Sequence, residues 1–386
     1  MDVMKDDFRY SNIGNSFGFV CRTIQKHCGL QQIATYERED FRELLKILNA
    51  KERFLAARFF CQLQANVGSF RVLLQLQELR ILTATQYILS KKNSDDLQVD
   101  LIIFLNSEFE LLTNIFIAAA YNSEASLRLT SILTSALSHL YSGLVSNPKI
   151  STLGYVETLC KALPNTALTV CINMHLNTLL ELHRADNINE AFAHFSAWIN
   201  EGVDELTFVK HLCDKMFAGH QQEVLQYLFK KSNTETFRQW KFYLILVQSI
   251  ASAASPETTT YIKKHLKNRL LQTASTGSLT SLLHLLLTAR AASASTMDIQ
   301  TNLDNYAKWY KQNIGEMTYI LGTEKFQTAL RLMEESLEYE KELQYLEIHV
   351  SIAISPGGRL VQAYKTKCRA HLSQLKSAAK RKASRD

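Results

Sequence analysis

A glycine–serine–glycine motif near the start of the chain has the spacing of a catalytic serine. Gly14-Asn15-Ser16-Phe17-Gly18 fits the G-x-S-x-G pattern of a nucleophile elbow. In such a site a buried strand precedes the serine and a helix follows it, so that a strained turn lifts the hydroxyl towards an oxyanion hole. Residues 1–13 are polar and contain no buried-strand run. We therefore expect Ser16 to lie in a polar N-terminal loop and to cap a helix over residues 17–28, and we predict no catalytic role for it.

Cysteine and histidine pairs are the next candidates, because zinc needs such ligands brought to one point. Cys171 and His175 are four residues apart, with His183 two turns further on, and His211 and Cys213 form a second pair. All of them lie in apolar helical stretches, where cysteine acts as a small hydrophobe and histidine as a half-buried polar tip. The spacing is not that of a zinc ribbon, so we predict no metal site and no cofactor.

Other catalytic patterns are weaker still. Neither glycine-rich phosphate loop, G-x-x-x-x-G-K-[ST] or G-x-G-x-x-G, occurs in the sequence. Glu334, Glu335, Glu338 and Glu342 follow helical spacing, which indicates a solvated helix face, whereas a catalytic dyad takes its carboxylates from different elements. We therefore predict that the protein is not an enzyme and takes no small-molecule substrate.

The positive charge of the chain is concentrated at its C-terminus. The formal net charge is +6, yet residues 359–386 alone hold nine basic residues against one acid. Lys380, Arg381 and Lys382 are typical of a nuclear import signal, and a bipartite signal would add an upstream half. That upstream half would be Lys365, Lys367 and Arg369. The alternative is a basic terminus that is only solvated. Ser384 follows this cluster and is predicted to be a phosphorylation site, where a phosphate would offset part of the charge.

Two further clusters are candidates for binding. Tyr306, Trp309 and Tyr310 crowd beside lysines on a weakly apolar helix, and aromatic residues with basic neighbours are favoured at interface centres. We predict them to be exposed partner-binding residues, with burial in the core as an equal alternative. The second cluster is formed by Lys263, Lys264, Lys267 and Arg269. It is predicted to contact phosphates or else to form an ordinary solvated face.

The composition indicates which elements position these residues. The chain has 386 residues, is 46% hydrophobic, and contains only 13 Gly and 4 Pro, which argues against an all-β fold with many tight turns. Seven cysteines in mostly apolar contexts favour a reducing compartment. Three charge-free windows, 129–148, 162–180 and 270–289, are rich in polar residues, so we predict buried helices there and no membrane span.

Apolar residues recur with the helical period almost everywhere, and we predict about sixteen helices joined by short loops. We expect one long helix to begin near Thr323. The alternation over 348–354 resembles a strand, but without a partner strand we predict that it ends this helix. The apolar stripe of residues 359–376 predicts a further helix that folds back on the acidic segment 323–347.

Helix pairs recur about every 35 to 50 residues, although no consensus residue recurs in register. In hairpin size and apolar pattern, residues 36–320 resemble degenerate armadillo or HEAT-type α-solenoids. This resemblance implies an extended surface that holds a peptide or a partner helix.

The sequence thus predicts an all-α fold of stacked antiparallel helical hairpins, an armadillo/HEAT-like or irregular α-solenoid. Its predicted parts are a flexible N-terminus (1–16), a helical array (17–355), an amphipathic helix (356–376) and a basic disordered tail (377–386). We expect a non-enzymatic scaffold or adaptor that binds other proteins in a nuclear assembly of the chromatin or genome-maintenance type. The alternatives are a nucleic-acid binder that uses the basic tail and a cytoplasmic adaptor.

Overall fold

The described part of the chain is entirely helical. The computed structural model describes residues 15–30, 35–63, 66–91, 94–121, 124–146, 153–205, 207–234, 236–296 and 298–383. These residues contain twenty-one α-helices and no strand. The predicted all-α fold class is therefore confirmed.

Most helices are short and are joined by loops of a few residues. The first ten are α1 (Asn15–Gly29), α2 (Thr35–Lys46), α3 (Ala50–Gln62), α4 (Val67–Glu78), α5 (Ala84–Ser90), α6 (Ser94–Asn106), α7 (Phe109–Tyr121), α8 (Ser126–Ser146), α9 (Leu153–Ala162) and α10 (Asn165–Glu181). The others are α11 (Ile188–Glu205), α12 (Thr207–His211), α13 (Gln221–Ser232), α14 (Trp240–Ser252), α15 (Pro256–Thr276), α16 (Leu279–Ser293), α17 (Ile299–Tyr310), α18 (Met317–Leu321), α19 (Thr323–Glu335), α20 (Leu343–Ser351) and α21 (Arg359–Ala383).

The helices form two compact units. Unit 1 comprises Met1–Leu140 and Ser151–His175, and unit 2 comprises Tyr141–Ile150 and Leu176–Asp386. In unit 1, α1 packs on α3 and α4, and α7 packs on α5, α6 and α9. Aromatic rings fill its core, with Phe70 and Phe104 edge to face at 4.9 Å between centroids. Burial of such rings is the main force that holds these short helices together.

Unit 2 is built around α14 and α16, which pack on each other. Almost every residue of α14 from Trp240 to Val247 is buried, and so are Leu282 to Ala291 of α16. A helix that is apolar all round lies in the middle of a bundle. Helices α11, α15 and α17 cover this pair, and α20 and α21 pack on α17 and α19.

Two local signals end helices that the apolar pattern alone would continue. Arg80 has φ 56° and turns the chain after α4, and Thr83 then caps α5, its hydroxyl accepting from the Gln86 N–H at 3.1 Å. Gly277 has φ 65° and ends α15, so that α16 starts two residues later as the second arm of a hairpin. The predicted buried window 270–289 is therefore two helices.

The prediction of one long helix after Thr323 is wrong. Helix α19 ends at Glu335 and passes into a short 3₁₀ turn at Ser336–Tyr339. A separate helix, α20, follows and ends at Ser351, so that residues 352–354 are neither helix nor strand. The predicted docking of the C-terminal helix is observed, since α21 packs on α19 and α20 with Val361, Tyr364 and Cys368 buried. This helix continues past residue 376 to Ala383. The four-part division of the chain stays a prediction.

Within the described residues, no single helix has both the length and the apolar content needed to cross a membrane. Only a pair bent by 110°, Val99–Leu105 with Phe109–Tyr121, reaches that length and composition when taken together.

Candidate partner-binding groove

A groove of about 640 Å³ in unit 2 lies along α15, α17 and α18 and is closed by the C-terminal ends of α14 and α16. Its floor is apolar. The floor residues are Ala251, Ala254, Ile262, Leu266, Trp309 and Ile320. Its walls carry four lysines, namely Lys263, Lys264, Lys267 and Lys308. Among the described residues that line the groove there is no acid, histidine or cysteine.

The first wall follows from the local sequence of α15. The Ser255 hydroxyl accepts from the Thr258 N–H at 3.1 Å, and Pro256 occupies the first helical position, so the start of the helix is fixed. Ile262 and Leu266 then face the core and are buried. Lysines at the intervening positions must point outwards, and all three on this helix are exposed. The structure thus brings the predicted lysine cluster to a groove edge.

Arg269 does not belong to this surface, and its predicted phosphate contact is wrong. Only 9% of it is exposed, and its guanidinium contacts the side-chain oxygen of Asn233 and donates to Nδ1 of His284 at 2.8 Å. Arg269 follows Leu266 by three residues and therefore lies on the buried stripe of α15. Burial lowers the pKa of its guanidinium.

The second wall is α17, on which the predicted exposed aromatics are buried. Tyr306 and Tyr310 are fully covered, and Trp309 is 9% exposed. Their spacing of three and four residues forms the core stripe of an amphipathic helix, so the prediction of exposure is wrong and the alternative of burial holds. The Tyr310 hydroxyl shares a hydrogen bond with that of Tyr364 at 3.0 Å.

Trp309 alone of these three lines the groove. Its ring stacks on Tyr306 with centroids 5.5 Å apart, which covers one face. Its Nε1 is buried and has no hydrogen-bond partner among the described residues. Lys308, one of the lysines beside the predicted aromatic cluster, is exposed and also lines the groove. A large aromatic ring at the base of a positively charged cleft is typical of an anchor point for a partner.

The four groove lysines have no acidic partner in the described part of the chain. The ion pairs of the C-terminal half lie elsewhere, as between Lys376 and Glu347 at 2.7 Å. Four ammonium groups around one apolar floor therefore create a local excess of positive charge, which favours an anionic occupant.

The cysteines and histidines of the two candidate metal-binding pairs lie mostly in the core, where Cys171, His175 and Cys213 are buried. His175 is fully buried and shares a hydrogen bond with the Tyr155 hydroxyl at 2.7 Å, and burial lowers its pKa to about 3. Burial raises the pKa of Cys171 and of Cys213. His183 packs edge to face on Trp198. No group of three ligating side chains among the described residues is placed to share a metal ion.

Ser16 lies inside the first turn of α1, which begins at Asn15 and not at the predicted residue 17. The residues before it, which would have to form the strand of a nucleophile elbow, lie outside the described residues.

The two halves of the predicted import signal both lie on α21, but they differ in exposure. Lys365 is buried, and its ammonium donates to the carbonyl oxygens of His349 and Ile352, so its prediction as part of an exposed upstream half is wrong. Lys367 pairs with Glu334, and Arg369 is exposed. Lys380 and Arg381 are exposed on the last turns of α21, whereas the Lys382 side chain and Ser384 lie outside the described residues.

A buried ion pair that the sequence analysis missed stabilises the elements around the groove. Arg290 of α16 is fully buried and pairs with Glu340, in the loop before α20. Its guanidinium carbon lies 4.0 Å from the ring centroid of Tyr345 and 5.0 Å from that of Phe192. The same loop carries Glu342, which accepts from both the backbone N–H and the hydroxyl of Ser196. The only feature of the sequence that pointed to this ion pair was an arginine within an apolar run.

Comparison with known proteins gives a family but no close relative. No curated protein and no solved structure matches the chain. Residues 20–378 match the family described as the Fanconi anaemia group A protein N terminus. The matched range includes both units, the groove and nearly all of α21. With most of its length aligned in this way, the chain belongs to the family of the Fanconi anaemia group A protein N terminus.

Proposed function

We propose that this protein is a non-enzymatic scaffold that binds other proteins in a nuclear genome-maintenance assembly. The observation that carries the proposal is the groove of unit 2, which combines an apolar floor with four lysines and lacks carboxylate, imidazole and thiol groups among its described lining residues. Such a lining suits binding, since histidine and the carboxylates, the commonest general acids and bases, are absent from its described residues.

The family supports the biological setting. Proteins of the Fanconi anaemia pathway act in the nucleus in DNA repair and work in complexes. We propose that Lys380, Arg381 and Lys382 form the import signal and that phosphorylation of Ser384 tunes it. A cytoplasmic adaptor is the alternative.

We propose further that the helical hairpins are arranged as in degenerate armadillo or HEAT repeats. Short connections such as Gly277-Ser278 between α15 and α16, and the packing of α16 in turn on α17, support this arrangement.

Affinity capture from nuclear extract tests the scaffold function. The full chain, immobilised by a tag, should retain a reproducible set of nuclear proteins at about 0.15 M salt, as identified by mass spectrometry. A tagged helical protein of similar size and charge is the control. If the chain retains no protein beyond that control, the scaffold proposal is wrong.

The exposed lysines of α15 and the basic end of α21 favour a second candidate function, nucleic-acid binding. A salt titration separates the two functions, because phosphate contacts give an affinity that falls steeply with salt. A nucleic-acid binder would retain labelled DNA or RNA at physiological salt. The logarithm of its binding constant would fall linearly with the logarithm of the salt concentration, and more steeply the more phosphates it contacts. For a protein scaffold we expect little binding under those conditions.

A further inference from the structure

We propose that the groove of unit 2 is a docking site for an acidic amphipathic helix of a partner protein. This inference rests on the proposed scaffold function and names the chemistry of the partner. Three properties of the groove support it: its size, its floor and its charges.

The dimensions of the groove suit two turns of helix. Its α15 wall runs from Thr259 to Lys267, and its second wall runs from Asn305 in α17 to Asn313 in the π-helical turn that follows α17. Eight helical steps of about 1.5 Å make each wall about 12 Å long, close to the length of two helical turns. A helix that lies between two others presents residues i, i+3, i+4 and i+7 to the groove beneath it.

The floor selects apolar side chains. Three alanines, Ala251, Ala254 and Ala292, leave room above the floor, and Ile320 and Trp309 offer apolar surface. The apolar stripe of a docked helix would cover this surface.

The walls select acidic residues on both flanks of that stripe. Lys263 and Lys267 are one turn apart on α15, and Lys308 faces them from α17. Glutamate or aspartate on either side of an apolar stripe would therefore meet a lysine. Since the groove lysines have no acidic partner among the described residues, the docked helix would supply the missing charge.

The same features disfavour a nucleic acid as the occupant. Single strands bind by stacking bases on exposed rings, whereas Trp309 is 9% exposed and already stacks on Tyr306.

Fluorescence anisotropy with the full chain tests the docking site. The probe is a labelled, stapled helical peptide with leucine at i, i+3, i+4 and i+7 and glutamate on both flanks. A peptide with lysine in place of each glutamate and a labelled single-stranded oligothymidine serve as comparison probes. We expect the acidic peptide to bind at about 0.15 M salt and the lysine peptide and the oligothymidine to bind at least about tenfold more weakly.

Two variants locate the binding. Lys263→Glu/Lys267→Glu should weaken binding of the acidic peptide at least about tenfold, because it reverses one wall. Ala254→Trp should weaken it without a change of charge, because the ring fills the floor. The matched control is Lys210→Glu/Lys325→Glu, which reverses two exposed lysines outside the groove and should change the affinity less than about twofold. Circular dichroism should show the same helix content in all variants.

The outcomes separate this inference from the scaffold function. Equal binding of the acidic peptide by the groove variants and the control, or tighter binding of the oligothymidine through the same lysines, overturns the docking site. If the groove variants still capture the nuclear proteins that the unmodified chain captures, the scaffold function stands and only the docking site is wrong. If the unmodified chain binds the peptide but captures no nuclear protein, the scaffold function is wrong.

Discussion

The buried imidazole of His175 makes the stability of the fold depend on pH. Its pKa is lowered to about 3 by burial, while its ordinary value is 6.5. Below pH 6.5 the unfolded chain therefore takes up a proton that the folded chain does not. The free energy of unfolding should fall by about 1.4 kcal/mol per pH unit for this group, or about 2 kcal/mol at pH 5, and the loss continues down to about pH 3.

Urea unfolding at pH 7 and pH 5 checks this expectation. The fall in the free energy of unfolding should be smaller in His175→Gln than in the unmodified chain, and His139→Gln, which changes an exposed histidine, should behave like the unmodified chain. His265, whose pKa burial lowers to about 4, contributes to the remaining fall. An equal pH dependence in His175→Gln and the unmodified chain would contradict the assignment to His175.

Single residues also show where sequence reasoning stops. Lys263, Lys264 and Lys267 are exposed, as both alternatives for this cluster, phosphate contact and solvated face, require, because Ile262 and Leu266 define the buried stripe of the same helix. It could not distinguish an interface aromatic from a core aromatic, because both follow the helical period, and Trp309 lies at the boundary between the two. Lys365 was misassigned because its partners are backbone carbonyls, which carry no sequence signal.

At the scale of the elements, the close approach of α1 and α4 depends on one glycine. A Cβ on Gly68 would stand 2.9 Å from the carbonyl oxygen of Leu30 and nearer still to that of Cys28. We expect Gly68→Ala to lower the free energy of unfolding by about 1 to 3 kcal/mol through overpacking.

The matched control is Gly18→Ala at the end of the first turn of α1, where a Cβ meets nothing within 4 Å. This substitution should raise the free energy of unfolding by about 0.5 to 1 kcal/mol, because alanine favours the helix. Denaturant midpoints measured side by side should move in opposite directions. A Gly68→Ala midpoint at or above that of the unmodified chain would show that the α1–α4 contact does not need a glycine.

The Arg290–Glu340 pair joins α16 to the loop that leads into α20. Glu340→Gln would leave a buried guanidinium without its carboxylate, and we expect a loss of about 3 to 5 kcal/mol. Arg290→Met/Glu340→Gln removes the charge as well and should be less destabilising than Glu340→Gln alone. The measurement is chemical denaturation of both variants. If the double variant were less stable than Glu340→Gln, the loss in Glu340→Gln could not be assigned to the unpaired charge of Arg290.

The positions of most helices were predictable, because each buries an apolar stripe, but several interruptions were not. Arg80 adopts a left-handed conformation that sequence rules assign to glycine or asparagine. The 3₁₀ turn at Ser336–Tyr339 directly precedes Glu340, whose partner Arg290 lies 50 residues earlier in the chain, so no local sequence signal marks this break. In both places the apolar pattern continues smoothly through the break.

At the scale of the whole molecule, the basic end of α21 is the proposed nuclear import signal. We expect Lys380→Ala/Arg381→Ala/Lys382→Ala to lower the nuclear-to-cytoplasmic ratio of a fluorescent fusion, because import receptors read clustered basic residues. Lys263→Ala/Lys264→Ala/Lys267→Ala removes as many charges from the groove and should leave the ratio unchanged. Unaltered nuclear accumulation of the α21 variant would rule out this signal.

The two compact units were not foreseen, for a physical reason. Two of their three boundaries, at 140/141 and 175/176, fall inside α8 and α10, where no glycine- or proline-rich linker marks them, and the third, at 150/151, lies outside the described residues. The all-α class followed from composition and periodicity alone. The division between units depends on which helices pack together, and the sequence does not carry that information in any local form.

The ammonium of Lys365, which closes the carbonyl end of α20, has a practical consequence for anyone who trims this protein. A fragment that stops at residue 358 loses that amine and uncovers the aromatic surface on which Val361, Tyr364 and Cys368 pack. Such a fragment should precipitate or self-associate on size-exclusion chromatography, whereas one that stops at residue 378 should stay monodisperse. The shortest workable expression boundary therefore lies beyond Cys368, well inside what looks from its charge like a dispensable tail.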